Sequence, residues 1–479
     1  MPEIAPNLFA YIALLSWPLI ALCLFQVRPA GWALLWTVLG GQLLLPVGTS
    51  IKFEMIPVFD KSSIATLAAL LGCHLAGKRL RLFKGFGTPE VLIVMFLVSP
   101  FITSALNTDP LRMGAAWRPG VDYYDALSAM AAQFIFFVPF LLGRQILRSS
   151  ADSGDVLRVL VAAGLIYSLP MLFEVRMSPQ LHTWTYGYFP HSFLQQMRGD
   201  GFRPVVFIGH GLGVAFFAMT AVLAAAALWR TRERSSRLQG SAVTAYLGIV
   251  LLLCKSLGSV VYAAVAVPLV RFASPRIQLR VAVALVSIAL FYPTLRATDL
   301  FPTTFLVTWA TSMSDERAES LKFRFDQEQA LLDHAWKRFS FGWGRFGRNR
   351  IYDEESGRDL SITDGRWIVT MGQFGFFGFL AEFGLLVLPV FRAAKSLRYA
   401  DSVQDQVFLA ALSLILAINV VDLLPNSSLS PFTWLIAGTL LGRSEAIRSA
   451  ARKRRAQWHA GPQIDHAMAK NSISVAENH

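Results

Sequence analysis

VVFIGHGLGVAFFAMTAVLAAAAL, residues 205–228, contains no Lys, Arg, Asp or Glu. At about 1.5 Å per residue, a helix of this length spans the roughly 30 Å hydrocarbon core of a bilayer. Backbone amides and carbonyls left unpaired in lipid are costly, and a helix pairs them internally. Moving outward in both directions, thirteen predominantly apolar runs appear in all, near residues 8–27, 32–48, 63–77, 90–106, 125–142, 156–173, 205–228, 242–254, 258–271, 279–295, 367–391, 406–424 and 428–442. Alternating segments of about ten residues, the mark of a membrane barrel, are not seen. The expected fold is an all-α polytopic transmembrane bundle of twelve to thirteen spans.

Composition agrees. The 479 residues are 54% hydrophobic and 16% charged, with a mean hydropathy of +0.47, whereas soluble chains are about a quarter charged. The segment MPEIAP before the first run lacks Lys and Arg, so that run is expected to be a retained span rather than a cleaved signal. Cys23, Cys73 and Cys254 fall in or beside apolar runs and are read as small buried hydrophobes; no metal-ligand spacing and no phosphate-loop motif accompanies them. A net charge of +13 without any nucleic-acid recognition module points to anionic lipid rather than nucleic acid.

Short basic connections orient such bundles. KRLRLFK (78–84), WRTRERSSR (229–237), RFASPRIQLR (271–280), RAAKSLR (392–398) and RSAARKRR (448–455) all fall on one side of the thirteen-span count, which is expected to be cytoplasmic. The bundle is taken as residues 1–455, and the polar residues 456–479 as a disordered cytoplasmic tail. Two long connections fall on the other side, 174–204 and 296–366. Within the second, apolar Leu321, Phe325, Ala330, Leu331 and Trp336 recur at helical intervals over 316–338, predicting an amphipathic helix on or over the bilayer. FGWGRFG then breaks it, with Gly342, Gly344 and Gly347 supplying turns and close backbone approach.

Arg198, Arg203, Arg317, Arg324, Arg345, Arg348 and Arg366 cluster in or beside these two connections. Guanidinium is permanently charged and offers paired donors to phosphate oxygens, so the set suits a diphosphate. Nearby Trp184, Tyr186, Tyr188, Trp343 and Trp367 suit sugar stacking or interfacial anchoring. His210 stands seven residues, about two helical turns, beyond Arg203, and Lys255 ends a run on the same side. Glu382 and Asp422 are intramembrane acids that need partners.

Taken in order, RPVVFIGHGLG, LLLCKSLGSVVYAAVAV, ERAESLKFRFDQEQALLDHAWKRFSFGWGRFG and TDGRWIVTMGQFGFFGFLAEFGLL resemble motifs of the O-antigen ligase and polymerase family of bacterial envelope proteins, over residues 200–390. The resemblance implies a lipid-carrier glycosyltransferase fold with a large helical periplasmic loop, in the bacterial inner membrane. It implies transfer of a glycan from an undecaprenyl-diphosphate carrier to an acceptor on the periplasmic face, with no metal or cofactor. By position, Arg203 and Arg324 match the arginines that hold the diphosphate. His210, Lys255, Arg317, Arg345, Arg366 and Trp367 would contact substrate. Where the family often has His-Asn, this chain has Thr363-Asp364-Gly365. Asp364 would then be the base for the acceptor hydroxyl, or else a helix cap, with His334 and His210 as reserve bases. That departure favours an exopolysaccharide polymerase over a ligase, with a chain-length regulator as a further partner. A flippase for the same lipid, and a non-catalytic subunit of an export assembly, are the competing readings.

Overall fold

The computed structural model describes residues 5–53, 56–83, 85–198, 201–231, 239–312 and 314–460, without the side chains of residues 316, 317, 459 and 460. In chain order its helices are α1 (Leu8–Val27), α2 (Ala30–Leu44), α3 (Lys61–Leu75), α4 (Thr88–Ala105), α5 (Tyr123–Ile146), α6 (Ser150–Met177), α7 (Leu181–Tyr186), α8 (Gly211–Arg230), α9 (Gly240–Leu253), α10 (Leu257–Phe272), α11 (Pro275–Ala297), α12 (Thr303–Thr311), α13 (Asp315–Trp336), α14 (Arg366–Ser396), α15 (Val403–Asp422) and α16 (Pro431–Ala460). All but α7, α12 and α13 coincide with the thirteen apolar runs. Eight helices (α1, α4, α5, α6, α8, α11, α14 and α15) are long and apolar enough to cross a membrane, and α2, α9 and α10 are shorter apolar helices. The chain is a multi-pass α-helical membrane protein. Strand structure among the described residues amounts to two small hairpins, Leu111–Met113 with Ala116–Arg118 and Met197–Arg198 with Gly201–Phe202.

Contacts between connections sort the chain into two ends. At one end, Arg144 bridges Glu90 at 2.8 Å and Glu445 at 2.6 Å, Arg443 grips Asp405 through two bonds of 3.0 and 2.6 Å, and Arg230 donates to the Val270 carbonyl at 2.8 Å. Described residues of the basic connections belong to this end, among them Arg81, whose amide donates to Gln145, and Arg230. At the other end, the Asn7 amide donates to Tyr186 at 3.0 Å, Lys61 to the Phe207 carbonyl at 2.9 Å, and the Arg366 amide to Leu423 at 2.9 Å.

Small residues let the helices close. A Cβ at Gly438 or Gly442 of α16 would fall 2.0 Å from the Phe140 oxygen or 2.4 Å from the Arg144 oxygen of α5. The GTLLG spacing puts both glycines on one helix face, where backbones pack directly. Trp434 seals this seam, edge-on to Phe137 at 5.3 Å and Phe140 at 5.9 Å.

Three expectations need correction. The run 205–228 is helical only from Gly211; residues 203–210 form an irregular arch with a turn at 206–208, because Val206 (φ 45°) and Gly209 (φ 95°) carry left-handed backbone. The run 367–391 is not one straight helix: α14 breaks at Gly375 (φ 66°, ψ −165°). Finally, α16 continues to Ala460, so residues 456–460 of the expected tail are helical, and 461–479 lie outside the described residues. Helix α13 matches the expected amphipathic segment, but it buries Ala318, Leu331, Leu332 and Ala335 while Ala330 and Trp336 are exposed.

The α14 break explains the glycine-rich turn. In an unbroken helix the amides of Phe376 and Phe377 would donate to the carbonyls of Gly372 and Gln373. Here they donate to Phe339 and Ser340 at 2.7 and 3.2 Å, and the freed carbonyls accept from Trp343 and Gly344 at 2.8 and 2.9 Å. Two helical bonds are exchanged for four to the segment 339–344, two of them to Phe339 and Ser340 and two from the FGWGRFG turn (341–347) that follows. Beyond the break the first part of α14 folds back: Arg366 grips Glu382 through bonds of 2.6 and 2.8 Å. Those sixteen residues would span about 24 Å in a straight helix. Glu382, an intramembrane acid seeking a partner, has it in Arg366.

Candidate functional site

The arch 203–210 is suspended from neighbouring helices. The fully buried Glu174 carboxylate near the end of α6 accepts from the amides of Val205 and Val206 at 2.7 and 2.8 Å, and from Leu181 at 2.9 Å. The Phe207 amide donates to the Tyr167 hydroxyl at 3.0 Å, and the Phe207 carbonyl accepts from Lys61. Arg203 and His210 occupy the two feet of this arch.

Arg203 is 7% exposed and packs over Gly211, where a Cβ would lie 2.2 Å from its Cδ. One guanidinium nitrogen, Nη2, donates to the Lys255 carbonyl at 3.0 Å, while Nε has no acceptor. Lys255, in left-handed conformation at the α9–α10 turn (φ 51°), donates through Nζ to the Arg198 carbonyl at 3.0 Å. Among the described residues no carboxylate pairs with Arg203. Burial, and then the charge of Arg198, lower its pKa from the ordinary value. It remains a cation at neutral pH, partly stripped of water and without a counter-ion.

His210 caps α8: Nδ1 accepts from the Leu212 amide at 3.1 Å, which places the ring proton on Nε2. Burial, followed by the neighbouring His191, Arg203 and Arg324, pushes its pKa down to about 4. The rings of His191 and His210 meet edge to face at 4.6 Å. His210 is therefore neutral at pH 7 and is a hydrogen-bond donor rather than a base. The sign of its pH effect follows. With a folded pKa below the ordinary 6.5, the unfolded chain binds the proton more readily, so this contribution to stability is complete above pH 6.5 and is lost as pH falls toward 4. On acidification from pH 7 to 5 the wild-type chain should lose several degrees more of melting temperature than His210→Asn, which keeps a capping acceptor. Parallel melting curves would exclude this account.

Arg324 reaches the same place from the long connection. Its Nε lies 3.5 Å from Asp364 Oδ2, both side chains being a little over 40% exposed (42% and 43%). Helix α13 is held there by Glu328, one turn on, which accepts from Tyr292 at 2.9 Å and from Trp367 at 3.2 Å. Gln327 accepts from the Ile362 amide at 3.1 Å and fixes the approach to Asp364. Burial raises the Glu328 pKa, with the Tyr292 and Trp367 bonds opposing. Asp364 does not cap α14: that position is Gly365, without a side-chain cap bond.

The structure thus brings together Arg203, His210, Lys255, Arg324 and Asp364. Other expected site residues serve the fold. Arg366 is committed to Glu382, and Trp367 is fully buried against Tyr292 and Glu328. Arg348 is fully buried and donates to the carbonyls of Trp343, Asp109 and Pro119 at 3.0, 2.9 and 2.8 Å. Arg345 sits among Pro100, Thr103, Val121 and Asp125, beyond the far end of α13; from Arg324 to Trp336 that helix rises about 18 Å. His334 donates Nε2–H to the Arg348 carbonyl at 3.2 Å and stacks on Trp343 at 4.4 Å. The Arg317 side chain lies outside the described residues. Asp422 accepts from Asn426 at 3.0 Å and Ser428 at 3.3 Å, neutral partners at the end of α15.

Sequence reading missed Glu174, His191 and Glu328. Glu174 sits between an apolar run and a loop, where a glutamate ordinarily marks a helix end; only the three amides it gathers reveal otherwise. No protein-family model matches this chain, and no curated protein matches it.

Proposed function

We propose that this chain transfers a glycan from an undecaprenyl-diphosphate carrier to a growing polysaccharide, a polymerase-type reaction in a bacterial inner membrane with the site end facing the periplasm. The observation that carries the reading is Arg203: a buried guanidinium with an unused Nε and, among the described residues, no carboxylate partner, near enough to His210, as Arg324 is, for both charges to act on that ring. Two cations converging from separate parts of the chain suit a dianionic leaving group. In the reaction, an acceptor hydroxyl oxygen bonds to the anomeric carbon while the bond from that carbon to the diphosphate oxygen breaks. The bonding pair leaves with the diphosphate, where Arg203 and Arg324 stabilise the charge that develops. Asp364 takes the hydroxyl proton. Lys255 and the Nε2–H of His210 donate to remaining phosphate or sugar oxygens. The basic connections at the opposite end support a cytoplasmic placement of that end.

Reconstitution tests this. Purified chain in liposomes, given an undecaprenyl-diphosphate oligosaccharide and an acceptor glycan, should release undecaprenyl diphosphate in step with lengthening of the glycan. Movement of the lipid between leaflets without transfer would replace the proposal with a flippase. Neither movement nor transfer would leave a non-catalytic subunit.

A further inference from the structure

The arch that carries Arg203 and His210 is not helical, and Val206 holds a left-handed conformation (φ 45°) that a β-branched residue adopts only when surrounding contacts impose it. Those contacts converge on one group. Glu174 is 0% exposed, and its two carboxylate oxygens take the amides of Val205, Val206 and Leu181 at 2.7, 2.8 and 2.9 Å. Val205 and Val206 follow Arg203 by two and three residues. Among the described residues no cation pairs with Glu174, and its hydrogen bonds are to three backbone amides. A carboxylate buried at the edge of a bundle and spent wholly on backbone amides is costly unless what it holds in place matters. Tyr167, two turns earlier on α6, adds its hydroxyl to the Phe207 amide at 3.0 Å.

Resting on the function proposed above, we infer that Glu174 is a positioning residue: by fixing the Val205 and Val206 amides it sets where the Arg203 guanidinium meets the diphosphate. The group touches no substrate and acts through the arch. Glutamine is the informative replacement, since it preserves shape but turns one carboxylate oxygen into a donor that faces an amide N–H.

The test is a double-mutant cycle on purified full-length chain, reading the affinity for inorganic pyrophosphate by calorimetry. Glu174→Gln should weaken binding roughly tenfold when Arg203 is present. In an Arg203→Ala background, already weakened, the same change should matter less than about twofold, whereas in an Arg324→Ala background the tenfold effect should persist. A purely structural role would lower affinity equally in all three backgrounds, and that result, or no loss at all, overturns the inference while leaving the function standing. Pyrophosphate binding that is absent, or indifferent to Arg203→Ala, overturns the diphosphate reading itself. If Glu174→Gln does not accumulate, Tyr167→Phe decides in its place: it removes one hydroxyl from the arch and should repeat the same dependence on Arg203 at smaller size.

Discussion

Arg324→Ala is expected to abolish long polymer while the chain stays folded in the membrane at its normal level. The two halves of that expectation have separate causes. The Arg324–Asp364 pair is a single contact of 3.5 Å between side chains that are each a little over 40% exposed, and exposed pairs contribute little to stability. Helix α13 keeps its place through Glu328, Gln327 and the buried Leu331, Leu332 and Ala335. Loss of one fixed cation from the leaving-group site should slow transfer by roughly a hundred- to a thousandfold. Asp364→Asn, which keeps shape and removes the basic carboxylate, should slow it by about a hundredfold or more. Arg324→Lys should retain part of the activity, because an ammonium supplies charge but not the paired donors of a guanidinium. The readouts are polymer length, the amount of chain in isolated membranes, and the lipid-linked single repeat units, which should accumulate. Normal polymer from Arg324→Ala would remove the diphosphate clamp from consideration.

Gly375→Val should be the most damaging single change to the fold. The backbone there (φ 66°, ψ −165°) lies in a region essentially confined to glycine, and a Cβ would sit 2.4 Å from the Ser340 carbonyl carbon and 2.5 Å from the Phe341 nitrogen. Forcing a side chain in separates the broken helix from the segment 339–344 and endangers the four backbone bonds exchanged there. Strain and lost bonds together amount to about 4 kcal/mol or more. The expected result is a much lower melting temperature in detergent, with protease cleavage opened between residues 339 and 347. Gly342→Val attacks the same junction from the other side, its Cβ falling 2.6 Å from the Gly375 nitrogen. The two changes together should therefore cost less than their sum. A melting curve unchanged by Gly375→Val would mean that the crossing of the two backbones is not what secures the turn.

The sequence by itself determined that this chain is a bundle of membrane-crossing helices, because runs of some twenty uncharged residues have only one economical backbone form in lipid. It also set out seven arginines in and beside the two long connections, of which the family resemblance singled out Arg203 and Arg324 as candidates. Even the three glycines of FGWGRFG announced a close backbone approach, though not to what. What only the tertiary structure decided is which arginines are spent on buried partners of the fold. Arg348 and Arg366 read in sequence like Arg203 and Arg324, yet one is spent on three carbonyls and the other on Glu382. Glu174 reads as a helix end, yet it holds the arch beneath Arg203. Helical periodicity is local and survives in the sequence; the partner of a buried polar group comes from distant segments, and it is the partner that separates a guanidinium holding the fold from one left for a ligand.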